Sequence, residues 1–128
     1  MGDDVMKRLL LILCALTLLL SGCSFGRKPV DLSNDCYTMA INILDVTDDY
    51  LDGTITAVVA AGQIQDLCRT LSGIPNEEGS KNQLVTSYCE MLSYTLMLVA
   101  DGDYINAKEI LHTRNSLAEL LGKAPRDK

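Results

Sequence analysis

The segment SKNQLVTSYCEMLSYTLMLVADG, residues 80–102, has the sequence features of one complete helix. Ser80 and Gln83 have the spacing of a capping box, in which each side chain satisfies a backbone donor of the first turn. Asp101 and Gly102 mark its end, since glycine readily adopts the conformation that follows a helix. One face has apolar side chains at helical spacing: Val85, Tyr88, Cys89, Leu92, Leu96 and Val99. The sequence therefore predicts an amphipathic helix here.

Two similar segments precede this one. The first can begin after Ser33, a good N-cap, and is broken by the turn Asp52-Gly53. The second can begin at Thr54 or Thr56 and stops at Gly73. Their apolar positions are Ala40, Ile43, Leu44, Thr47 and Leu51, and then Ala60, Ile64, Leu67, Cys68 and Leu71. Both patterns have the helical period of 3.6 residues.

A fourth segment follows, with Asp103 as its expected N-cap and Gly122 as its expected stop. Its apolar positions are Ala107, Ile110, Leu111, Leu117, Ala118 and Leu121. No strand-like alternation competes with these four patterns. Four amphipathic helices must bury their apolar faces against one another, so residues 33–128 are predicted to form an all-α, up-down-up-down four-helix bundle of two helical hairpins. The alternative is two hairpins that pair with another chain.

The second hairpin has a partial resemblance to a known repeat. Gly102-Asp103-Tyr104 followed by Ala107 resembles the inter-helix turn of a tetratricopeptide repeat, although Thr95, Arg114 and Glu119 depart from its pattern. A single unit of this kind implies one helical hairpin and not a repeat array.

The N-terminal region has the pattern of a signal peptide. Lys7 and Arg8 precede residues 9–20, which are apolar except for Thr17. As a helix this run spans only about 18 Å, well short of the roughly 30 Å hydrocarbon core of a bilayer. The tetrapeptide Leu20-Ser21-Gly22-Cys23 that ends it resembles the lipobox of bacterial lipoprotein precursors.

This resemblance implies that residues 1–22 are a cleaved lipoprotein signal peptide and that the Cys23 thiol receives diacylglycerol. Residues 23–32, with Gly26 and Pro29, are then a lipidated tether. The membrane becomes a partner through the lipid on Cys23, because two or three acyl chains together anchor a protein firmly. The expected location is the cell membrane or the outer membrane, facing the periplasm or the cell exterior.

The composition limits the function. The chain has 17 acidic and 11 basic residues among 128, a net charge of −6, which disfavours a nucleic-acid partner because phosphates require a basic surface. It contains one histidine and no tryptophan, and it has no glycine-rich phosphate loop, C-x-x-C or paired-histidine motif. We therefore expect neither an enzyme nor a bound cofactor.

The acidic residues concentrate at two turns. The predicted surface for a basic partner or a cation consists of Asp45, Asp48, Asp49, Asp52, Asp101 and Asp103. In the predicted bundle both turns lie at the end opposite the tether. The basic residues Arg27, Lys28, Lys81, Lys123, Arg126 and Lys128 are expected near the tether. Carboxylates at a helix C-terminus oppose the helix dipole by roughly 0.3 to 1 kcal/mol each, which invites a functional explanation. The alternative is a solvated acidic tip that aids solubility.

Three cysteines belong to the predicted helical domain. Their heights along the bundle favour a disulfide between Cys68 and Cys89, with Cys36 and Cys68 as the second pairing. The alternative is that all three are small apolar core residues. A zinc site with His112 is disfavoured, and no metal is expected, because the helix face of His112 is polar. That face consists of Lys108, His112, Asn115 and Glu119.

Large side chains in the helices are assigned structural roles. Tyr37, Tyr88 and Tyr94 are expected to pack their rings at the boundary of the core, and Met39, Met91 and Met97 to fill the core.

With no catalytic set, the predicted function is a membrane-anchored bacterial lipoprotein whose helical domain binds another protein of the cell envelope. The alternative is a lipoprotein that binds a small ligand or a divalent cation.

Overall fold

The computed structural model describes residues 4–9 and 27–128, and the regular elements in these two stretches are all helical. Residues 4–9 form a short helical segment. The longer helices are α1 (Asn34–Leu51), α2 (Ala57–Ser72), α3 (Lys81–Ala100) and α4 (Ala107–Leu120). None of the described residues lies in a β-strand. The prediction of an all-α protein is therefore confirmed for this part of the chain.

Hydroxyl side chains cap the first three of these helices, as the sequence predicts. Ser33 caps α1, and its side chain accepts a hydrogen bond from the backbone N–H of Cys36. Thr56, and not Thr54, caps α2. Ser80 caps α3 by accepting from the N–H of Gln83. Each cap satisfies a backbone donor that has no partner within its helix.

The start of α4 differs from its prediction. The cap is Asn106, whose side chain accepts a hydrogen bond from the N–H of Lys108 at 3.0 Å. The expectation that Asp103 caps this helix is wrong, because the chain between Gly102 and Ala107 is not helical. Ile105 lies in this connection and packs against the core, so the connection is anchored before the helix begins.

The core contains apolar residues from all four helices, including Ile43, Ile64, Leu92 and Leu117, each with no exposed surface. Burying a side chain of this size contributes roughly 1.5–3 kcal/mol relative to exposure. Leu32, which precedes α1, is also buried, at 1% exposure. The packed domain therefore begins before the first helix.

Consecutive helices contact each other, and α1 also contacts α3 and α4. Among the described residues, α2 and α4 do not contact each other. The beginnings of α1 and α3 lie side by side, because the N–H of Ser33 donates to Asn82 Oδ1 at 3.1 Å. An ion pair of 3.4 Å between Lys81 Nζ and Asp31 Oδ1 extends this contact toward the N-terminal side.

Candidate functional site

Four of the six predicted acidic residues lie along the second half of α1 or at its end. Helix α1 packs its buried face, with Ile43, Leu44 and Thr47, against the core, so the other faces of the helix are directed outward. The four aspartates are Asp45, Asp48, Asp49 and Asp52. Asp48 is half-buried and the other three are exposed. The structure therefore brings four carboxylates together in two different environments.

Asp48 forms a bidentate ion pair with Arg114 of α4. Arg114 Nε donates to Asp48 Oδ1 at 2.8 Å, and Nη2 donates to Oδ2 at 3.0 Å. Nη1 of the same guanidinium donates to Asn115 Oδ1 and to the carbonyl of Ala124, each at 3.1 Å. Arg114 is only 7% exposed, so these hydrogen bonds must replace the water that its charged side chain loses on burial. Two parallel hydrogen bonds fix both the strength and the geometry of such a pair.

The C-terminal segment, residues 122–128, folds back against α4 and the acidic end of α1. The chain reverses at Gly122, whose φ of 70° is in the left-handed region. Arg126 then exchanges two backbone hydrogen bonds with the Asn115 side chain, of 2.9 and 3.0 Å. Its guanidinium lies 3.0 Å from Asp48 Oδ1 and 2.6 Å from Asp52 Oδ1. The hydrogen bond to Asp52 raises the pKa of Arg126 above its ordinary value.

This reversal corrects the predicted charge distribution. Arg126 was expected near the tether, at the end opposite the acidic residues, and that expectation is wrong. The structure places it in direct contact with two of those acidic residues, because Gly122 turns the chain instead of only ending α4. The acidic surface is therefore partly neutralised from within the chain.

The other carboxylates of α1 remain open to a partner. Asp45 and Asp49 line a shallow groove of about 430 Å³ between α1 and α2, opposite Asp66. Although Asp45 is an exposed residue, neighbouring atoms partly shield its carboxyl from water, and this desolvation raises its pKa. Repulsion from Asp48 and Asp49 raises the pKa further, while Lys123 and Arg114 lower it. The surroundings of Asp45 therefore disfavour its ionised form.

Asp101 and Asp103 are exposed at the end of α3 and in the connection to α4. Within residues 27–128, neither side chain forms an ion pair, whereas Asp48 and Asp52 do. The described part of the chain contains no group of three or more His, Cys, Asp or Glu side chains that could hold a metal ion.

The structure brings the three cysteines together as free thiols. Cys68 Sγ lies 3.5 Å from the backbone oxygen of Cys89. Burial raises the pKa of Cys68 to about 11, with a smaller effect from Glu90. Burial is also the main cause of the raised pKa of Cys89, to which Cys68 and Cys36 add. Burial raises the pKa of Cys36 as well. All three thiols are therefore weak nucleophiles at neutral pH. Their pairing in an oxidised protein stays a prediction.

A groove of about 570 Å³ lies between α4 and the returning C-terminal segment. The predicted polar stripe of α4 forms one wall, through His112, Asn115 and Glu119. Lys123 and Pro125 form the other. Sequence reasoning missed this groove because it exists only where the C-terminal segment folds back. The Gly122 turn is the sequence signal that points to it.

Two methionines of α3 that are predicted to fill the core are exposed in the structure. Met91 and Met97 are 50% and 38% exposed, so the prediction that they fill the core is wrong. They lie on the side of α3 away from Cys89 and Leu92, which occupy the core. Tyr94 is 65% exposed, more than expected for a residue at the core boundary.

The predicted lipidation site, Cys23, and the lipobox around it lie outside the described residues, as does most of the predicted signal peptide. Within the described residues, no helix combines the length and the apolar character that crossing a membrane requires.

Comparisons of the chain with protein-family models, with curated proteins and with solved structures give no significant match. The function is therefore inferred from the residues and contacts of the domain itself.

Proposed function

We propose that this protein is a membrane-anchored bacterial lipoprotein whose helical domain binds a basic segment of another protein of the cell envelope. The anchor is the lipid on Cys23, and residues 1–22 are the signal peptide removed before it. The resemblance of Leu20-Ser21-Gly22-Cys23 to a lipobox supports this anchor. The protein then faces the periplasm or the cell exterior, and its role is binding and not catalysis.

The observation that supports the binding role is the contact made by Arg126. An arginine on a non-helical segment binds Asp48 and Asp52 through charge-assisted hydrogen bonds. The neighbouring carboxylates Asp45 and Asp49 are exposed in their groove, and Asp45 is repelled by both of its acidic neighbours. A second basic segment along this groove would relieve that repulsion in the way that Arg126 relieves it at Asp48.

We also propose that the four helices run up-down-up-down in one bundle. The contact between Ser33 and Asn82 supports a common direction for α1 and α3. The contact between Asp48, late in α1, and Arg114, in the middle of α4, together with the effect of Lys123, just after α4, on the earlier Asp45, supports opposite directions for those helices. In this arrangement the acidic end of α1 points away from the tether, toward partners beyond the membrane surface.

Site-specific photo-crosslinking in the producing cell tests the binding role. A photoreactive residue replaces Gln63, which lines the groove, in the full-length chain. The expected result is an adduct with one envelope protein, in which the crosslinked peptide is rich in Lys or Arg. The double variant Asp45→Lys, Asp49→Lys should lose the adduct, because the groove becomes basic.

The control is Asp35→Lys, which makes one such charge reversal at the other end of α1 and should keep the adduct. An adduct that persists in the double variant would overturn the proposed role of the groove. Asp48 is left unchanged because its ion pair supports the fold. Mass spectrometry of the N-terminal peptide tests the anchor separately: we expect a mature chain that begins at Cys23 with acyl chains attached.

The alternative function is binding of a small ligand, and the groove beside α4 is the observation that favours it. This groove is lined by an acidic side chain, Glu119, a basic side chain, Lys123, and the imidazole of His112. A thermal-shift series with small envelope metabolites and divalent cations should then show one compound that raises the melting temperature. His112→Ala should remove that rise, and a flat response across the series would exclude this alternative.

A further inference from the structure

Three carboxylates form a row along one side of α1 and its end. Asp45, Asp49 and Asp52 are separated by four and then three residues, the spacing of neighbours on one helix face. All three residues are exposed. The row is about 10 Å long at 1.5 Å per residue, which about three residues of an extended chain can cover. A basic segment that neutralises Asp45 and Asp49 therefore also reaches Asp52.

Asp52, at the end of this row, already binds a basic side chain of the same molecule. Arg126 Nη2 donates to Asp52 Oδ1 at 2.6 Å, and Nη1 lies 3.0 Å from Asp48 Oδ1. The C-terminal segment that carries Arg126 has three basic side chains and one acidic side chain. This is the chemistry of the partner segment in the proposed function. The chain therefore places its own basic segment where the partner's basic segment must bind.

The contacts that hold the C-terminal segment are polar and lie at the surface. None of residues 122–128 is buried, so the segment is not anchored in the core. The side chains of Arg126 and Asp52 are 22% and 56% exposed, and water and salt weaken ion pairs of this kind. Asp48 keeps its bidentate pair with Arg114 when Arg126 leaves. Release of Arg126 therefore leaves the helical core and its buried charge intact.

We infer that Arg126 makes an autoinhibitory contact, which a basic segment of the partner must displace before it can bind the whole row. The inference rests on the proposed function and adds the regulation of the same site. The contact lowers the apparent affinity by the fraction of molecules in which Asp52 is open. A partner with one basic residue gains nothing over Arg126. A partner with several also binds Asp45 and Asp49, with which Arg126 forms no ion pair.

Titration with a defined peptide tests this inference. The probe is a biotinylated tetra-arginine peptide, added to the purified full-length protein in detergent, with a photoreactive residue at position 63. The yield of adduct against peptide concentration gives the half-saturating concentration. Arg126→Gln removes the competing charge and keeps the backbone hydrogen bonds to Asn115. It should lower the half-saturating concentration about fivefold.

The matched control is Lys128→Gln. It removes the same charge from the same segment, whereas the ion pairs to Asp48 and Asp52 come from Arg114 and Arg126. Its half-saturating concentration should stay within about twofold of wild type. Because neither Arg126 nor Lys128 is buried, the fold should tolerate both changes, and circular dichroism checks this. An equal gain from both variants would show a general effect of charge and overturn the inference. No gain from Arg126→Gln, or a loss, would also overturn it.

The same titration separates this inference from the proposed function. A wild-type adduct that saturates, and that the variant Asp45→Lys, Asp49→Lys loses, supports the proposed binding of a basic segment. Arg126→Gln then decides the inference alone. If the peptide forms no saturable adduct with wild type or with any variant, the proposed function fails, and the inference fails with it.

Discussion

Arg114 and Asp48 lie 66 residues apart in the chain and form a bidentate ion pair with N–O distances of 2.8 and 3.0 Å. The pair joins the fourth helix to the first, and these helices have no short connection. Arg114 Nη1 also binds the carbonyl of Ala124. One guanidinium therefore fixes three parts of the domain: α1, α4 and the C-terminal segment.

Replacing Arg114 by lysine should destabilise the fold. Lysine keeps the charge but cannot reproduce the two parallel hydrogen bonds to Asp48. The free energy of unfolding should fall by about 2 kcal/mol, the usual range for lost hydrogen bonds to a charged group. Urea denaturation at pH 7 measures this. The control is Arg69→Lys, whose ion pair with Asp66 is exposed and should change stability by under about 0.5 kcal/mol. Equal effects of both variants would contradict a special role for Arg114.

The Asn115 side chain should control the C-terminal segment. Asn115→Ala removes both hydrogen bonds to the backbone of Arg126. The amide of Arg126 should then exchange its hydrogen on the order of tenfold faster, which corresponds to about 1.4 kcal/mol of lost protection. Hydrogen exchange followed by NMR measures it residue by residue. Ser116→Ala is the control, because Ser116 binds only the carbonyl of His112 within α4. Unchanged exchange at Arg126 would show that its ion pairs hold the segment alone.

The sequence was sufficient to predict the four helices but not the contacts that neutralise the acidic surface. The spacing of apolar residues, the capping residues and the glycines that end a helix are local signals. Together they predict each helix from its own segment of the sequence, without information about the rest of the chain. The partner of Arg114 is on another helix, and a charged residue within a helix is assigned to solvent by default. The position of Arg126 depends instead on the path of the chain after Gly122, which no helical pattern determines. The turn at Gly122 can be predicted from the sequence. The surface that the C-terminal segment then contacts forms only when α1 and α4 pack together.

The N-cap of α4 gives a direct test of one such error. Asn106→Ala should reduce the free energy of unfolding by about 1 kcal/mol, because the Lys108 N–H loses its acceptor. Asp103→Ala should change it by much less, since Asp103 lies outside the helix. Thermal or urea denaturation of the two variants decides between the caps. If Asp103→Ala lowered the free energy of unfolding more than Asn106→Ala, Asp103 would be the N-cap of α4 after all.

Asp45 should make stability depend on pH. Its pKa in the folded protein is raised above the ordinary value of an aspartate, first by partial desolvation of the carboxyl and then by repulsion from Asp48 and Asp49. The folded state therefore binds the proton more tightly than the unfolded state, and ionised Asp45 destabilises the fold at neutral pH. Asp45→Asn should raise the free energy of unfolding at pH 7. This gain should shrink as pH falls through the folded pKa and disappear below the unfolded pKa.

Urea denaturation of wild type and variant across this pH range measures the difference. Asp35→Asn is the control on the same helix. Asp35 lies in the first turn, where a carboxylate interacts favourably with the helix dipole, so its loss should not stabilise the fold. A gain from Asp45→Asn that grows as the pH falls would contradict a raised pKa for Asp45.

The cysteine cluster should form one preferred disulfide on oxidation. Cys68 Sγ lies 3.5 Å from the Cys89 backbone oxygen, so these two residues are adjacent in the free-thiol structure. With oxidised glutathione as the disulfide donor, two protein thiols become one disulfide and two molecules of reduced glutathione are released. The reaction should be slow at pH 7 and accelerate toward pH 11, because the pKa of Cys68 is raised to about 11.

Peptide mapping by mass spectrometry should find Cys68 linked to Cys89, with Cys36 as a thiol. The bridge should stabilise the fold by about 3 kcal/mol through closure of the loop between the two cysteines. Cys36→Ser should keep that gain, whereas Cys89→Ala should lose it. A link between Cys36 and Cys68 would instead select the second predicted pairing. Three thiols that stay reduced after unfolding and oxidative refolding would show that all three are core residues, because the packed helices then exclude the geometry that a disulfide requires.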